Sequence, residues 1–199
     1  ESPTQQACLP LVLGISCVHC GSSSLAAYLN AHPQLSYGAR KEHHFFPDRS
    51  NSDRSGRLLK YSEQFLLPMP SQDDLGLYGL DFTPGYLSKS AMDKRVIRQI
   101  AELPTETRFI VIIKSAAEFM KGRLREKATF KCLEDRQCWQ EIRRLCCQHI
   151  QLEPWLAQFD RRRFFFVRSD DLAELSQRCV TLTVTADCIT CGYRYTNML

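Results

Sequence analysis

The run Leu9-Pro10-Leu11-Val12-Leu13-Gly14-Ile15-Ser16-Cys17-Val18-His19-Cys20-Gly21-Ser22-Ser23-Ser24-Leu25 joins an apolar strand to an amphipathic helix through a turn of small residues. A junction of this kind builds an anion cradle. Gly21 lets the backbone come close to a ligand, and the N–H groups that open the helix have no intrahelical partner. The helix dipole adds partial positive charge at that end, and the hydroxyls of Ser22, Ser23 and Ser24 add donors. The turn also contains Cys17-Val18-His19-Cys20, so two other chemistries compete for it. A Cys-x-x-Cys pair at a helix N-terminus is a redox motif, because the dipole favours the thiolate. Together with Cys188 and Cys191 the same pair has the ligand types of a zinc site, although the two pairs lie far apart in the chain.

Outward from this turn, strand and helix patterns alternate. Strands are expected at residues 9–16, 35–37, 77–82, 108–114 and 163–168. Helices are expected at 22–31, 57–66, 87–102, 116–128, 137–148 and 171–177, with 48–56 as a mobile loop. Phe109-Ile110-Val111-Ile112-Ile113 is continuously apolar, as a strand covered on both faces must be. The alternation predicts an α/β domain on a mainly parallel sheet flanked by helices. Residues 1–178 form this domain, and 179–199 are a divergent, cysteine-containing tail of it.

Composition narrows the classes. The 199 residues are 44% hydrophobic and 24% charged, enough for one full-sized core. No run approaches the ~18 apolar residues of a membrane span, so a membrane would be reached only through a segment outside this chain. The polar start, without an initiator Met, reads as that of a mature or trimmed piece. A net charge of +4 suits an anionic ligand. It lacks the basic stripe interleaved with aromatics that marks nucleic-acid binding, and Arg161-Arg162-Arg163 reads as a solvated strand entry. Ten cysteines, seven of them from Cys132 onward, favour an oxidising compartment with disulfides tying the C-terminal region; a cytosolic chain with free thiols stays open.

Several segments, in order, carry a family resemblance. The cradle Cys20-Gly21-Ser22-Ser23-Ser24-Leu25 continues to Tyr28-Leu29-Asn30-Ala31-His32-Pro33. Lys41-Glu42-His43-His44-Phe45-Phe46 follows, then Asp81-Phe82-Thr83-Pro84-Gly85-Tyr86-Leu87. The strand 108–113 runs into Lys114-Ser115-Ala116-Ala117-Glu118, and Phe164-Phe165-Phe166-Val167-Arg168-Ser169-Asp170-Asp171-Leu172 closes the series. Together they resemble the sulfotransferase family, in particular its Golgi-type carbohydrate branch, over about 170 residues of one domain.

The resemblance implies a P-loop-like three-layer fold and transfer of a sulfuryl group from 3′-phosphoadenylyl sulfate to a hydroxyl or amine of a glycan or other acceptor, without a metal. It places the donor's phosphosulfate on His19, Cys20, Gly21, Ser22, Ser23 and Ser24, with Lys114 toward the 3′-phosphate. Glu42 becomes the general base, with Lys41 beside it and His19 at the leaving group. A secretory, Golgi-lumen setting follows from the same branch. Three positions depart from the family pattern: His19 stands where a lysine is usual, Lys114 where an arginine is, and Gly122 where a serine is. Neutral imidazole lacks the permanent charge of an ammonium, and lysine lacks the bidentate fork of arginine. An inactive sulfotransferase-like binding domain is therefore one alternative, and a thiol–disulfide oxidoreductase using Cys17 and Cys20 is another. A nucleotide kinase fits less well, because no lysine follows the glycine.

Overall fold

The computed structural model describes residues 5–7, 9–17, 19–50, 53–68, 78–124, 136–172, 183–185 and 188–190. In chain order the elements are β1 (Gln5–Ala7), β2 (Pro10–Ser16), α1 (Ser22–Asn30), β3 (Leu35–Ser36), α2 (Arg54–Ser62), β4 (Leu66–Pro68) and β5 (Tyr78–Asp81). There follow α3 (Gly85–Met92), α4 (Arg95–Ala101), β6 (Arg108–Ile113), α5 (Ala116–Leu124), α6 (Arg136–Cys146), α7 (Gln148–Gln158) and β7 (Phe164–Arg168). Last come β8 (Thr183–Thr185) and β9 (Cys188–Thr190).

Five strands form one sheet in the order β3-β5-β2-β6-β7, and every pairing in it is parallel. Two antiparallel pairs, β1 with β4 and β8 with β9, stand apart from it. Side chains alternate across the sheet. Leu13 and Ile15 of β2 and Phe109 and Val111 of β6 enter one core, with Tyr61, Tyr86, Leu87, Ile100 and Trp155 from the helices. Val12, Ile110 and Ile112 enter the other, against Leu25, Ala26 and Leu29 of α1 and Phe119 of α5. The result is the expected three layers, with α2, α3, α4 and α7 on one face and α1 and α5 on the other. The buried Trp155 indole is paired, donating to Ser90 Oγ at 2.8 Å.

Gly14 is required where β2 passes β5. A Cβ there would lie 2.5 Å from the Phe82 ring, so the ring takes the space a side chain would need. Because β2 is central, the chain first lays down β3 at the edge and β5 between them on one side, and then crosses to β6 and β7 on the other. The carboxyl ends of β2 and β6 meet at that switch, the place where open α/β sheets bind ligands.

Four local expectations differ from the structure. The helix expected at 87–102 is two, because Asp93 is extended and its carboxylate accepts the Arg95 N–H at 3.0 Å, restarting the helix. Hydrogen bonding to Arg95 holds that carboxyl down at about 2. The helix expected at 57–66 begins at Arg54, inside the expected mobile loop, because Asp53 caps it by accepting the Gly56 N–H at 2.8 Å. It ends at Ser62, and Leu66 pairs with Ala7 instead. A helix not expected at all, α7, carries Pro154 inside it. Proline leaves the carbonyl four residues earlier without its N–H. That residue is Ile150, which is 53% exposed. The later parts of the helices expected at 116–128 and 171–177, and most of the 179–199 tail, lie outside the described residues.

Candidate active site

The cradle is built by two left-handed residues. His19 has φ 58° and Gly21 φ 86°, and between β2 and α1 they turn the chain back on itself. A Cβ on Gly21 would meet Leu172 Cδ1 at 3.0 Å, so glycine serves both the backbone and the close packing of the late chain. Gly21 is also the N-cap of α1. No side chain caps this helix, and its first turn contains no acidic residue. Its opening N–H groups therefore keep their capacity for an anion.

Cys17 and Cys20 form a disulfide across this turn, with their Cα atoms 5.8 Å apart. Both are buried in the core beside α1. Among the described residues a disulfide thus stands at the cradle. Cys147 carries a free thiol. Cys8, Cys132, Cys179 and Cys191 lie outside the described residues. No group of three or more metal-ligating side chains occurs among the described residues.

Two lysines converge on the cradle. Lys114, just past β6, reaches back with Nζ to donate to the His19 carbonyl at 3.1 Å. The Gln148 side chain fixes the start of that excursion. Its Oε1 accepts the Lys114 N–H at 2.9 Å and its Nε2 donates to the Ile112 carbonyl. Lys41 comes from the loop after β3, and its Nζ donates to Ser23 Oγ at 3.2 Å and to Glu42 Oε1 at 2.6 Å. An ammonium has three N–H donors, so one remains for a bound anion.

Glu42 is half-buried, with His44 Nε2 3.1 Å from its other oxygen. A carboxylate has about four lone-pair sites, so these two contacts leave capacity to take a proton. The two neighbouring histidines divide as their surroundings dictate. His43 is buried, its ring nitrogens 2.9 Å from Gln64 Oε1 and 3.0 Å from the Tyr37 carbonyl. His44 turns outward to Glu42 from a backbone at φ 52°.

The structure thus brings His19, Cys20, Gly21, Ser22, Ser23, Lys41, Glu42 and Lys114 to the carboxyl end of the sheet, with Ser24 exposed on the first turn of the same helix. Gly122 stands apart on α5, where an added Cβ would meet nothing within 4 Å. Sequence reasoning missed His44 as a partner of Glu42, and it missed Asp81, Thr83 and Tyr86 beneath the Glu42 loop. The signal for the last three was the Thr83-Pro84-Gly85-Tyr86 turn itself, which places two hydroxyls at fixed spacing after the strand.

Among the described residues no helix is long and apolar enough to cross a membrane. No protein-family model matches the sequence, and no curated protein matches it. Solved structures do share the fold. A sulfotransferase from Alicyclobacillus acidocaldarius is 17% identical, with 84% of this chain and 76% of that one covered and a TM-score of 0.57. The sulfotransferase domain from the curacin biosynthetic pathway is 13% identical, covering 86% and 71%, with a TM-score of 0.58. That of the Synechococcus PCC 7002 olefin synthase is 14% identical, covering 89% and 72%, with a TM-score of 0.53. At these identities the likeness establishes the fold.

Proposed function

We propose that this chain, folded as those sulfotransferases are, moves a sulfuryl group from 3′-phosphoadenylyl sulfate to a hydroxyl or amine of a carbohydrate-type acceptor. One contact carries the reading: Lys41 bridges the cradle and the base, touching Ser23 on one side and Glu42 on the other. When bound, the donor supplies an activated sulfuryl group on its 5′-phosphate. The α1 N–H groups, Ser22 and Ser23 hold that phosphate, and Lys114 serves the 3′-phosphate. Glu42 takes the proton of the acceptor as the new bond to sulfur forms. Lys41 stabilises the negative charge that grows on the departing 5′-phosphate oxygen as its bond to sulfur breaks. His19 contributes a hydrogen bond rather than a permanent charge, and Lys41 supplies the charge its substitution removes. No step calls for a metal.

The position of the disulfide weighs against the oxidoreductase reading. Thiol exchange needs an accessible sulfur, and Cys17 and Cys20 are both buried. A disulfide at this place supports an oxidising setting, which the secretory pathway provides. A second reading, a domain that binds its anion without turnover, is favoured by Gly122, which offers no hydroxyl toward the donor. The test is Glu42→Gln, assayed for radiolabelled sulfate transfer to a desulfated polysaccharide and for calorimetric binding of 3′-phosphoadenosine 5′-phosphate. Loss of transfer with binding kept supports the base. A wild-type protein that binds but never transfers favours the second reading.

A further inference from the structure

Residues 41–46 form neither helix nor strand, yet they carry Lys41, Glu42 and His44. Backbone N–H groups in such a segment need partners from elsewhere. Side chains supply them. Thr83 Oγ1 accepts the His43 N–H at 3.0 Å and lies 3.4 Å from the His44 nitrogen. Tyr86 Oη accepts the Phe45 N–H at 3.0 Å and lies 3.5 Å from the Phe46 nitrogen. On the other side of Glu42, the Lys41 carbonyl accepts the Phe82 N–H at 3.0 Å. Glu42 is therefore clamped between residues 82 and 83.

Both hydroxyls are in turn oriented by one buried carboxylate. Asp81, fully buried at the end of β5, accepts from Thr83 Oγ1 at 2.5 Å, from Tyr86 Oη at 2.8 Å and from Tyr61 Oη at 2.6 Å. A hydroxyl has one proton and two lone pairs. With the proton spent on Asp81, the lone pairs of Thr83 and Tyr86 are left to face the loop N–H groups. Burial and the neighbouring Asp81 push Tyr61 and Tyr86 well above the usual tyrosine range, so they remain donors. Among the described residues Asp81 makes no ion pair, and burying a carboxylate on hydroxyls alone is costly.

We infer that Asp81 is a positioning residue for Glu42, acting through Thr83 and Tyr86. The inference rests on Glu42 as the base. The left-handed backbone of His44 fits the same picture, since a non-glycine residue stays there only when its surroundings over-determine it. An amide in place of the carboxylate would reverse the polarity of the network. Its N–H groups would donate to the hydroxyls and compete with the loop for their lone pairs.

The test compares Asp81→Asn, Thr83→Val and Thr83→Ser. Thr83→Val keeps the shape if Asp81→Asn fails to fold, and Thr83→Ser restores the hydroxyl. The expected result is a fall in kcat of about a hundredfold for both Asp81→Asn and Thr83→Val, as a displacement of about 1 Å at a reacting group produces, and a folded Asp81→Asn with wild-type kcat would overturn the inference. The KM for the donor and the affinity for 3′-phosphoadenosine 5′-phosphate stay as in the wild type, amide exchange at His43 and His44 speeds up, and Thr83→Ser recovers both properties. Wild-type kcat and wild-type amide protection in Thr83→Val would overturn the inference. An active Glu42→Gln enzyme would instead remove the base, while the amide-exchange comparison would still report on the clamp.

Discussion

Lys41 Nζ lies 3.2 Å from the Ser23 hydroxyl, although the two residues are 18 positions apart and belong to different segments. This contact places a permanent cation on the first turn of α1. Where the sulfotransferase motif that the sequence resembles carries a lysine, this chain has His19, whose carbonyl accepts from a second cation, Lys114. The charge of the cradle has thus been supplied from outside the turn.

Replacing Lys41 with Met keeps the aliphatic stem and removes the charge. A charge-assisted hydrogen bond contributes roughly 1.5–3 kcal/mol, so 3′-phosphoadenosine 5′-phosphate should bind at least about tenfold more weakly. The converse change, His19→Lys, should strengthen binding. Calorimetric titration of the two variants beside the wild type checks both directions.

The Cys17–Cys20 disulfide closes a loop of four residues. In the chain-entropy model such a loop stabilises by about 2 kcal/mol, by restricting the unfolded chain. The double variant Cys17→Ser, Cys20→Ser should lose about that much in urea unfolding and bind the anion less tightly. Because both sulfurs are buried, native protein should resist a mild thiol reductant that reduces the unfolded chain quickly.

Tyr61 and Tyr86 give a pH dependence with a definite sign. Burial, followed by the Asp81 charge, raises both well above 10.0 in the folded state. Their contribution is complete below the unfolded value and is lost as pH rises toward the folded one, so stability should decline above pH 10. In a phenolate absorbance titration, two of the seven tyrosines should ionise only together with unfolding.

Gly14→Ala places a methyl group 2.5 Å from the Phe82 ring. Overpacking of this kind costs about 1–3 kcal/mol. Phe82 lies between Asp81 and Thr83, so transfer should fall as well, with donor affinity less affected. Thermal unfolding and transfer kinetics on the same sample check the pair of effects.

The parallel core and the strand–turn–helix junction were legible because they rest on local patterns. Phe109 to Ile113 is apolar throughout, and Gly21 sits between a strand and a helix. Lys41-Glu42 was legible as a motif. Its attachment to Ser23 was not, since no periodicity reports that two segments meet. The break at Asp93 was within reach of turn logic: an aspartate two residues before Arg95 can accept its N–H, and the apolar pattern hid it. Helix α7 was concealed by Pro154, whose penalty depends on whether the carbonyl of Ile150 is hydrated, a fact of exposure rather than of sequence. Asp81 was hidden for a similar reason. A carboxylate at a strand end reads as solvated until three hydroxyls are seen around it.

We propose that the turn from His19 to Ser24, with Lys41 and Lys114, holds the nucleotide of a sulfuryl donor. Calorimetric titration of the chain with 3′-phosphoadenosine 5′-phosphate tests it most directly. Saturable binding in the micromolar range that weakens in Lys41→Met is the expected result. An absence of binding at millimolar nucleotide would contradict it.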